Sequence, residues 1–274
     1  MDTSLAGQRA LVVGGSSGIG RAIARALIDE GADVAIGGRR DASEEGRGLD
    51  FGQGRTVYVR GDISTKTGAE SLVMTAEHAL GGLTLMVNTA AFRHNDGIAA
   101  LTSNDLELSF STNVLGCIYL CQSVARQFIA QGRGSIVVLG STATASAQPG
   151  ETAYRASKAA LKAHVEVLAV ELAPHGIRAN LVTPGATDTP FLEGLGQAQR
   201  ARAIDAVPLG REAQPEEIAP AVLFLLSDRL ASYITGSELF VDGGLHLRPI
   251  IGGSWTDVRA MNRAGDRAEG AIEE

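Results

Sequence analysis

One stretch near the start limits the fold more than any other. Arg9 to Val13 is a short apolar run, Gly14, Gly15, Ser16, Ser17, Gly18, Ile19 and Gly20 follow, and the alanine-rich segment RAIARALIDEG runs to Gly31. The order reads as strand, glycine loop and helix. Such an arrangement cradles a pyrophosphate, because glycines admit the backbone and the helix N-terminus presents N–H groups and a positive dipole. A glycine pattern alone carries little weight; the flanking strand and helix are what its mechanism requires. The second strand, Asp33 to Gly37, ends in Gly38, Arg39 and Arg40. A site built for NAD places an acid near here to bind the ribose 2′-hydroxyl. Gly38 puts no carboxylate there, and Arg39, with Arg40 beside it, offers charge-assisted hydrogen bonds to a 2′-phosphate. The expected cofactor is therefore NADP(H).

The same alternation continues along the chain. The strand VYVRG (57–61) leads through Asp62 and Ile63 into a helix ending near Leu80, and LTLMVN (83–88) leads to the small residues Thr89, Ala90 and Ala91. A loop over 91–101 precedes one long helix from about Asn104 to Gln131, which holds Asn113. The strand Ser135 to Leu139, a helix carrying Tyr154, and the strand IRANLVT (177–183) come next. A variable loop through about Arg211, the helix PEEIAPAVLFLLS and a last strand SELFVDGG complete the pattern. This alternation predicts the α/β class, a doubly wound parallel sheet flanked by helices, in one domain over 1–247. Four glycines within 41–54 leave room for only a short or irregular helix. Beyond 248 the composition shifts to Gly, Arg, Ala and Glu, as expected of a tail that is mobile or packed on a neighbouring subunit.

The reactive chemistry concentrates in SIVVLGSTATASAQPGETAYRASKAALK (135–162). Tyr154 and Lys158 stand four apart on a predicted helix, so phenol and ammonium lie on one face. Ser141 leaves the preceding strand at its C-terminal end, where a parallel sheet places ligands. A free tyrosine ionises near pH 10, and a nearby positive charge lowers that value. A serine hydroxyl beside the phenol steadies a carbonyl or alkoxide oxygen as charge develops. The set suits proton transfer coupled to hydride transfer.

Charge and cysteine content exclude other classes. A net charge of −7 speaks against nucleic acid or an anionic membrane as the main partner. The two cysteines, Cys117 and Cys121, cannot build a disulfide framework, and they read as small core or interface residues. His78, His164, His175 and His246 show no ligand spacing, so no metal is expected. Asp2 and the early first strand argue against a signal peptide, no stretch approaches eighteen apolar residues, and the expected location is the cytoplasm. Arg93 and His94 lie in the loop over the expected cleft, where they either face solvent or recognise a polar substrate. Phe191, Leu192 and Leu195 open the variable loop as an apolar lid or as ordinary core-packing residues.

From about Leu5 to Leu245 the chain resembles the short-chain dehydrogenases/reductases. VGGSSGIG, NTAA at 88–91, Asn113, Ser141, YRASK at 154–158, PGATDT at 184–189 and SYITGSELFVDGG stand in that family's order and spacing. The resemblance implies a single-domain Rossmann fold and a homotetramer, or a homodimer, with the Asn113 and Tyr154 helices in one interface. It implies that Tyr154 is the general acid in carbonyl reduction and the base in alcohol oxidation. Lys158 would lower the tyrosine pKa and hold the nicotinamide ribose, Ser141 would hold the substrate oxygen, and Asn113 would bind a water linking Lys158 to solvent. Asp62 and Ile63 would contact the adenine, Asn88 would brace the sheet with Ala90 beside the cofactor, and Pro184, Gly185, Thr187 and Thr189 would lie at the carboxamide. The implied activity is NADP-dependent hydride transfer between nicotinamide and a ketone or secondary alcohol, as in a carbonyl reductase for a 3-oxoacyl thioester or a secondary-metabolite ketone. The alternatives are a non-catalytic NADP-binding sensor and an NAD-dependent alcohol or sugar dehydrogenase of the same fold.

Two positions depart from the family pattern. Val13 replaces a threonine, and Asn88-Thr89-Ala90-Ala91 replaces Asn-Asn-Ala-Gly. Loss of the threonine hydroxyl removes a hydrogen bond of about 1 kcal/mol, so a looser tie between cofactor loop and sheet is expected. Ser17 stands where NADP-using members carry a basic residue, which leaves the preference to Arg39.

Overall fold

The computed structural model describes residues 3–40, 55–145, 147–193 and 197–247. Seven strands form one sheet: β1 (Arg9–Val13), β2 (Asp33–Gly38), β3 (Thr56–Arg60), β4 (Leu85–Asn88), β5 (Gly134–Leu139), β6 (Ile177–Pro184) and β7 (Glu238–Val241). Their order is β3-β2-β1-β4-β5-β6-β7 and every pairing is parallel. The strands are near-continuous apolar runs because helices cover both faces. Leu11 and Val13 point to one face and Ala10 and Val12 to the other, into two separate core clusters.

Helix α1 (Gly18–Asp29) follows β1, and α2 (Lys66–Leu80) follows β3. Between β4 and β5 lie α3 (Ser103–Phe110) and α4 (Gly116–Gln131), and α5 (Thr152–Leu172) precedes β6. Between β6 and β7 come α6 (Pro190–Glu193), α7 (Gln197–Asp205), α8 (Pro215–Leu226) and α9 (Asp228–Ala231). α2, α4 and α5 pack one face through Leu72, Leu120, Phe128 and Leu161, while α1 and α8 pack the other through Ile23, Leu27, Ile218 and Val222. The chain leaves β3 at one edge and returns to pair β4 beside β1. That reversal opens a crevice at the C-terminal ends of β1 and β4, where α/β sheets bind ligands.

Three features differ from the sequence expectation. The long helix ending at Gln131 is two helices joined by a π-helical turn, Ser111–Leu115, and Asn113 sits in that turn. The variable loop contains α6 and α7 rather than irregular chain alone. The run Ser103–Gln131 is also 29 residues long and apolar enough to cross a membrane by length and composition alone. Here it is a packed helix: Cys117, Leu120, Cys121, Val124 and Phe128 are fully buried in the core. The segment 41–54, the lid residue Leu195 and the 248–274 tail lie outside the described residues.

Candidate active site

At the crevice the glycine loop has no room for side chains. A Cβ on Gly14 would stand 2.6 Å from Thr89 Oγ1, and one on Gly20 would stand 2.2 Å from the Gly14 carbonyl oxygen. Gly14 also adopts φ +80°, a conformation that side chains disfavour. The loop therefore lies tight against β4 and aims the first turn of α1 into the cleft, as a bound pyrophosphate requires. Thr89 donates both its N–H and its hydroxyl to the Val13 carbonyl, each at 2.9 Å. The two departures from the family pattern thus meet, with a hydroxyl at the end of β4 tied to the end of β1.

At the far end of the same cleft stand Arg39, Arg40, Arg60 and Asp62. A Cβ on Gly38 would meet the Tyr58 hydroxyl at 2.6 Å, so a longer side chain where an NAD site keeps its acid would displace Tyr58 from this corner. Tyr58 holds this corner by donating to the Arg40 carbonyl at 2.8 Å, and Arg60 Nε donates to the Arg39 carbonyl at 3.2 Å. Arg60 was not among the residues the sequence singled out. Its signal was the end of the neighbouring strand, in register with Gly38.

The cleft encloses about 830 Å³ and reaches from this corner to Ser141, Tyr154 and Lys158. Ser141 caps a short 3₁₀ turn, accepting from the Ala143 N–H at 3.1 Å. Arg155, next to the tyrosine, donates to the Ala143 and Thr144 carbonyls and so fastens that turn to α5. Burial pushes the Tyr154 phenol above its ordinary pKa, while the Ser141 hydrogen bond and the Arg93 charge pull it down and Glu151 pushes it up. Lys158 is 2% exposed, donates to the Leu139 carbonyl at 2.8 Å, and is pushed down by burial to about 8.

Two predicted residues stand behind the cleft and do not line it. Asn88 is buried and accepts from the Ala90 N–H at 3.2 Å, which shapes the turn after β4. Asn113 donates from Nδ2 to the Phe92 carbonyl at 2.8 Å and to Ser157 Oγ at 2.9 Å, and accepts from the Phe92 N–H at 2.6 Å. Its side-chain amide is thus committed to protein partners, so its donors are not free to bind the water expected there. The π turn around it matches the frequent placement of such turns at functional sites.

A family model described as enoyl-(acyl carrier protein) reductase matches residues 13–246. The chain belongs to the short-chain dehydrogenase/reductase family. Among its relatives, an L-xylulose reductase of Bos taurus is 39% identical over 89% of this chain and 98% of its own. A 3-oxoacyl-[acyl-carrier-protein] reductase of Chlamydia pneumoniae is 33% identical over 89% of this chain and 99% of its own. Among solved structures, a putative 2-deoxy-D-gluconate 3-dehydrogenase from Agrobacterium tumefaciens with bound NADP superposes with a TM-score of 0.82 at 29% identity, covering 90% of this chain and 99% of that one.

In this short-chain dehydrogenase/reductase Pro184, Gly185, Thr187 and Thr189 line the cleft between β6 and α6. Thr189 Oγ1 donates to the Thr187 carbonyl at 3.2 Å, and Arg200 of α7 joins Asp188 and Glu212, tying the variable region across its width. Leu192 lines the cleft there. Arg93 also lines it, paired with Glu151, whereas His94 pairs with Asp96 at 2.8 Å. The fold also gathers Cys117, Cys121 and His164, whose ligand atoms lie within 4.8 Å of one another, a proximity that their spacing in the chain did not reveal. No thiol hydrogen-bonds the buried His164 Nε2.

Proposed function

We propose that this chain is an NADP-dependent carbonyl reductase, moving a hydride between nicotinamide and a ketone or secondary alcohol such as a 3-oxoacyl thioester or a secondary-metabolite ketone. The observation that carries the proposal is the continuity of one cleft from the arginine corner, past the glycine cradle, to Ser141, Tyr154 and Lys158. Arg39, with Arg40 and Arg60, takes the 2′-phosphate by charge-assisted hydrogen bonds. The glycine loop and α1 hold the pyrophosphate, Asp62 and Ile63 hold the adenine, and Thr187 and Thr189 hold the carboxamide. When bound, the cofactor supplies the hydride.

The chain's own groups handle the oxygen and the proton. Ser141 donates to the substrate oxygen, and Tyr154 Oη gives its proton to that oxygen as negative charge develops. Lys158, at about 8, sits close enough to neutral pH to pass a proton on to the phenol. Asn113 fixes the loop after β4 and the first turns of α5 relative to each other.

We also propose a cytoplasmic homotetramer or homodimer joined through the helices around Asn113 and Tyr154. Leu108, Phe110 and Leu115, with Val167 and Val170 of α5, are exposed apolar side chains of the kind an assembly covers. The test of the activity is calorimetric titration with NADPH and NADH, then a ketone panel followed through cofactor absorbance. NADPH binding much tighter than NADH binding, with turnover, is expected. Tight binding without turnover on any ketone would favour a cofactor sensor.

A further inference from the structure

Two cations stand near the ring of Tyr154. The Arg93 guanidinium carbon is 5.6 Å from the ring centroid, and Lys158 Nζ is 5.9 Å from it. The two differ in permanence. Lys158 is buried, is engaged with the Leu139 carbonyl, and is pushed down by burial to about 8, against a smaller opposing effect of Cys117. An arginine keeps its charge at every pH a folded protein meets. A guanidinium at this distance is therefore a fixed source of positive potential where the phenolate forms.

Arg93 is held in place from three sides. Its Nη2 pairs with Glu151 Oε1, in an ion pair whose side chains are 14% and 6% exposed, and its Nε donates to Asn95 Oδ1 at 3.1 Å. Glu151 immediately precedes α5, three residues ahead of Tyr154, so pair and phenol share one helix end. The Arg93 backbone follows Phe92, whose N–H and carbonyl are both clasped by the Asn113 amide. Glu151 Oε2 is buried with no hydrogen-bond partner, so turning Arg93 away toward a substrate anion would leave a buried carboxylate uncompensated. Such a pair serves poorly as a carboxylate receptor. Its place against the ring gives it a different use.

We propose that Arg93, locked by Glu151 and Asn113 against the face of Tyr154, is a positioning residue that keeps a permanent positive charge on the reactive phenol, in addition to Lys158. The inference rests on the reading of Tyr154 as the proton-handling group. Among the described residues Arg93 and Lys158 stand over the ring and Glu151 pairs with Arg93; the Arg93 charge lowers the Tyr154 pKa and the Glu151 charge raises it.

The test follows Tyr154 itself and needs no substrate. With ¹³C label at the tyrosine ring carbon bearing the hydroxyl, the full chain gives four tyrosine signals, and Tyr154→Phe assigns the one of interest. Arg93→Met should move the Tyr154 ionisation midpoint up by about one pH unit, a tenfold change in the ionisation constant. Arg93→Lys should keep it near the parent value. Arg93→Met leaves Glu151 alone, so the double variant Arg93→Met/Glu151→Gln guards against misfolding. It should still move upward, by less, because the arginine acts more strongly on the phenol than the glutamate does. No upward movement in either folded variant, or an equal movement in Arg93→Lys, would overturn the proposal. A protein that binds NADPH and reduces no ketone would refute the activity proposed above while leaving this titration readable.

Discussion

The two ends of the cleft are built on different principles. The nucleotide end is backbone: glycines of one contiguous loop, closed against β4 by two hydrogen bonds from Thr89 to a single carbonyl. The reactive end is side chain: Ser141 after β5, Tyr154 and Lys158 on α5, Arg93 after β4, and Asn113 behind them. A backbone cradle is fixed wherever the strand and helix flanking it form, and it is tolerant of what happens elsewhere. A side-chain constellation depends on several long-range contacts and carries buried charge, so it costs stability where the cradle does not. The comparison can be broken at either end.

The largest effect is expected at the reactive end. Tyr154→Phe should lower turnover by about 10³-fold, within the range that general acid catalysis supplies, and leave NADPH affinity within a few-fold. Steady-state kinetics beside calorimetry would check this, and parallel losses of binding and turnover would mean that the two ends are not separable. At the nucleotide end, Arg39→Ala combined with Arg60→Ala should weaken NADPH binding about a hundredfold, with each arginine giving about tenfold, and leave NADH binding nearly unchanged. Equal losses for both cofactors would refute the 2′-phosphate assignment.

Stability offers a third contrast. Lys158 titrates near 8 in the folded chain against an ordinary lysine value of 10.5, so over that interval the unfolded chain binds more protons. Stability contributed by this group therefore rises with pH between about 8 and 10.5, and the full penalty persists below 8. Lys158→Met should remove a penalty of about 3 kcal/mol, less about 1 kcal/mol for the lost hydrogen bond to Leu139, and flatten that pH slope. Denaturant melts of the cofactor-free chain across this pH range would show it. A destabilised variant would mean that the lysine is a structural anchor instead. The smallest effect concerns the cradle: Thr89→Val should cost about 1 kcal/mol and a few-fold in NADPH affinity, and Val13→Thr in that background should restore both. Failure of the rescue would show that the two hydroxyls are not equivalent ties.

This contrast also explains what the sequence revealed. The cradle, the strands and the Tyr154/Lys158 face were legible because each is written in a few adjacent residues: the first strand, Arg9–Val13, matches its expected bounds. Arg60 was missed because its relation to Arg39 exists only through the β2–β3 register. The role of Thr89 was hidden for the same reason, since its partner is 76 residues earlier in the chain. The break at Asn113 is marked in the sequence only by Gly116, a weak signal inside an apolar helical pattern, and the amide's contacts with Phe92 and Ser157 make sense of it. Arg93 and Glu151, 58 residues apart, could not be paired from spacing at all.

The most direct test of the whole account is to follow the hydride. A ketone accepted by the protein is incubated with NADPH deuterated at the transferring face of nicotinamide C4, and the alcohol is analysed by mass spectrometry and NMR. The account predicts one deuterium on the carbinol carbon with the parent chain and only trace alcohol with Tyr154→Phe. Unlabelled alcohol from the parent chain, or undiminished labelled alcohol from Tyr154→Phe, would contradict it.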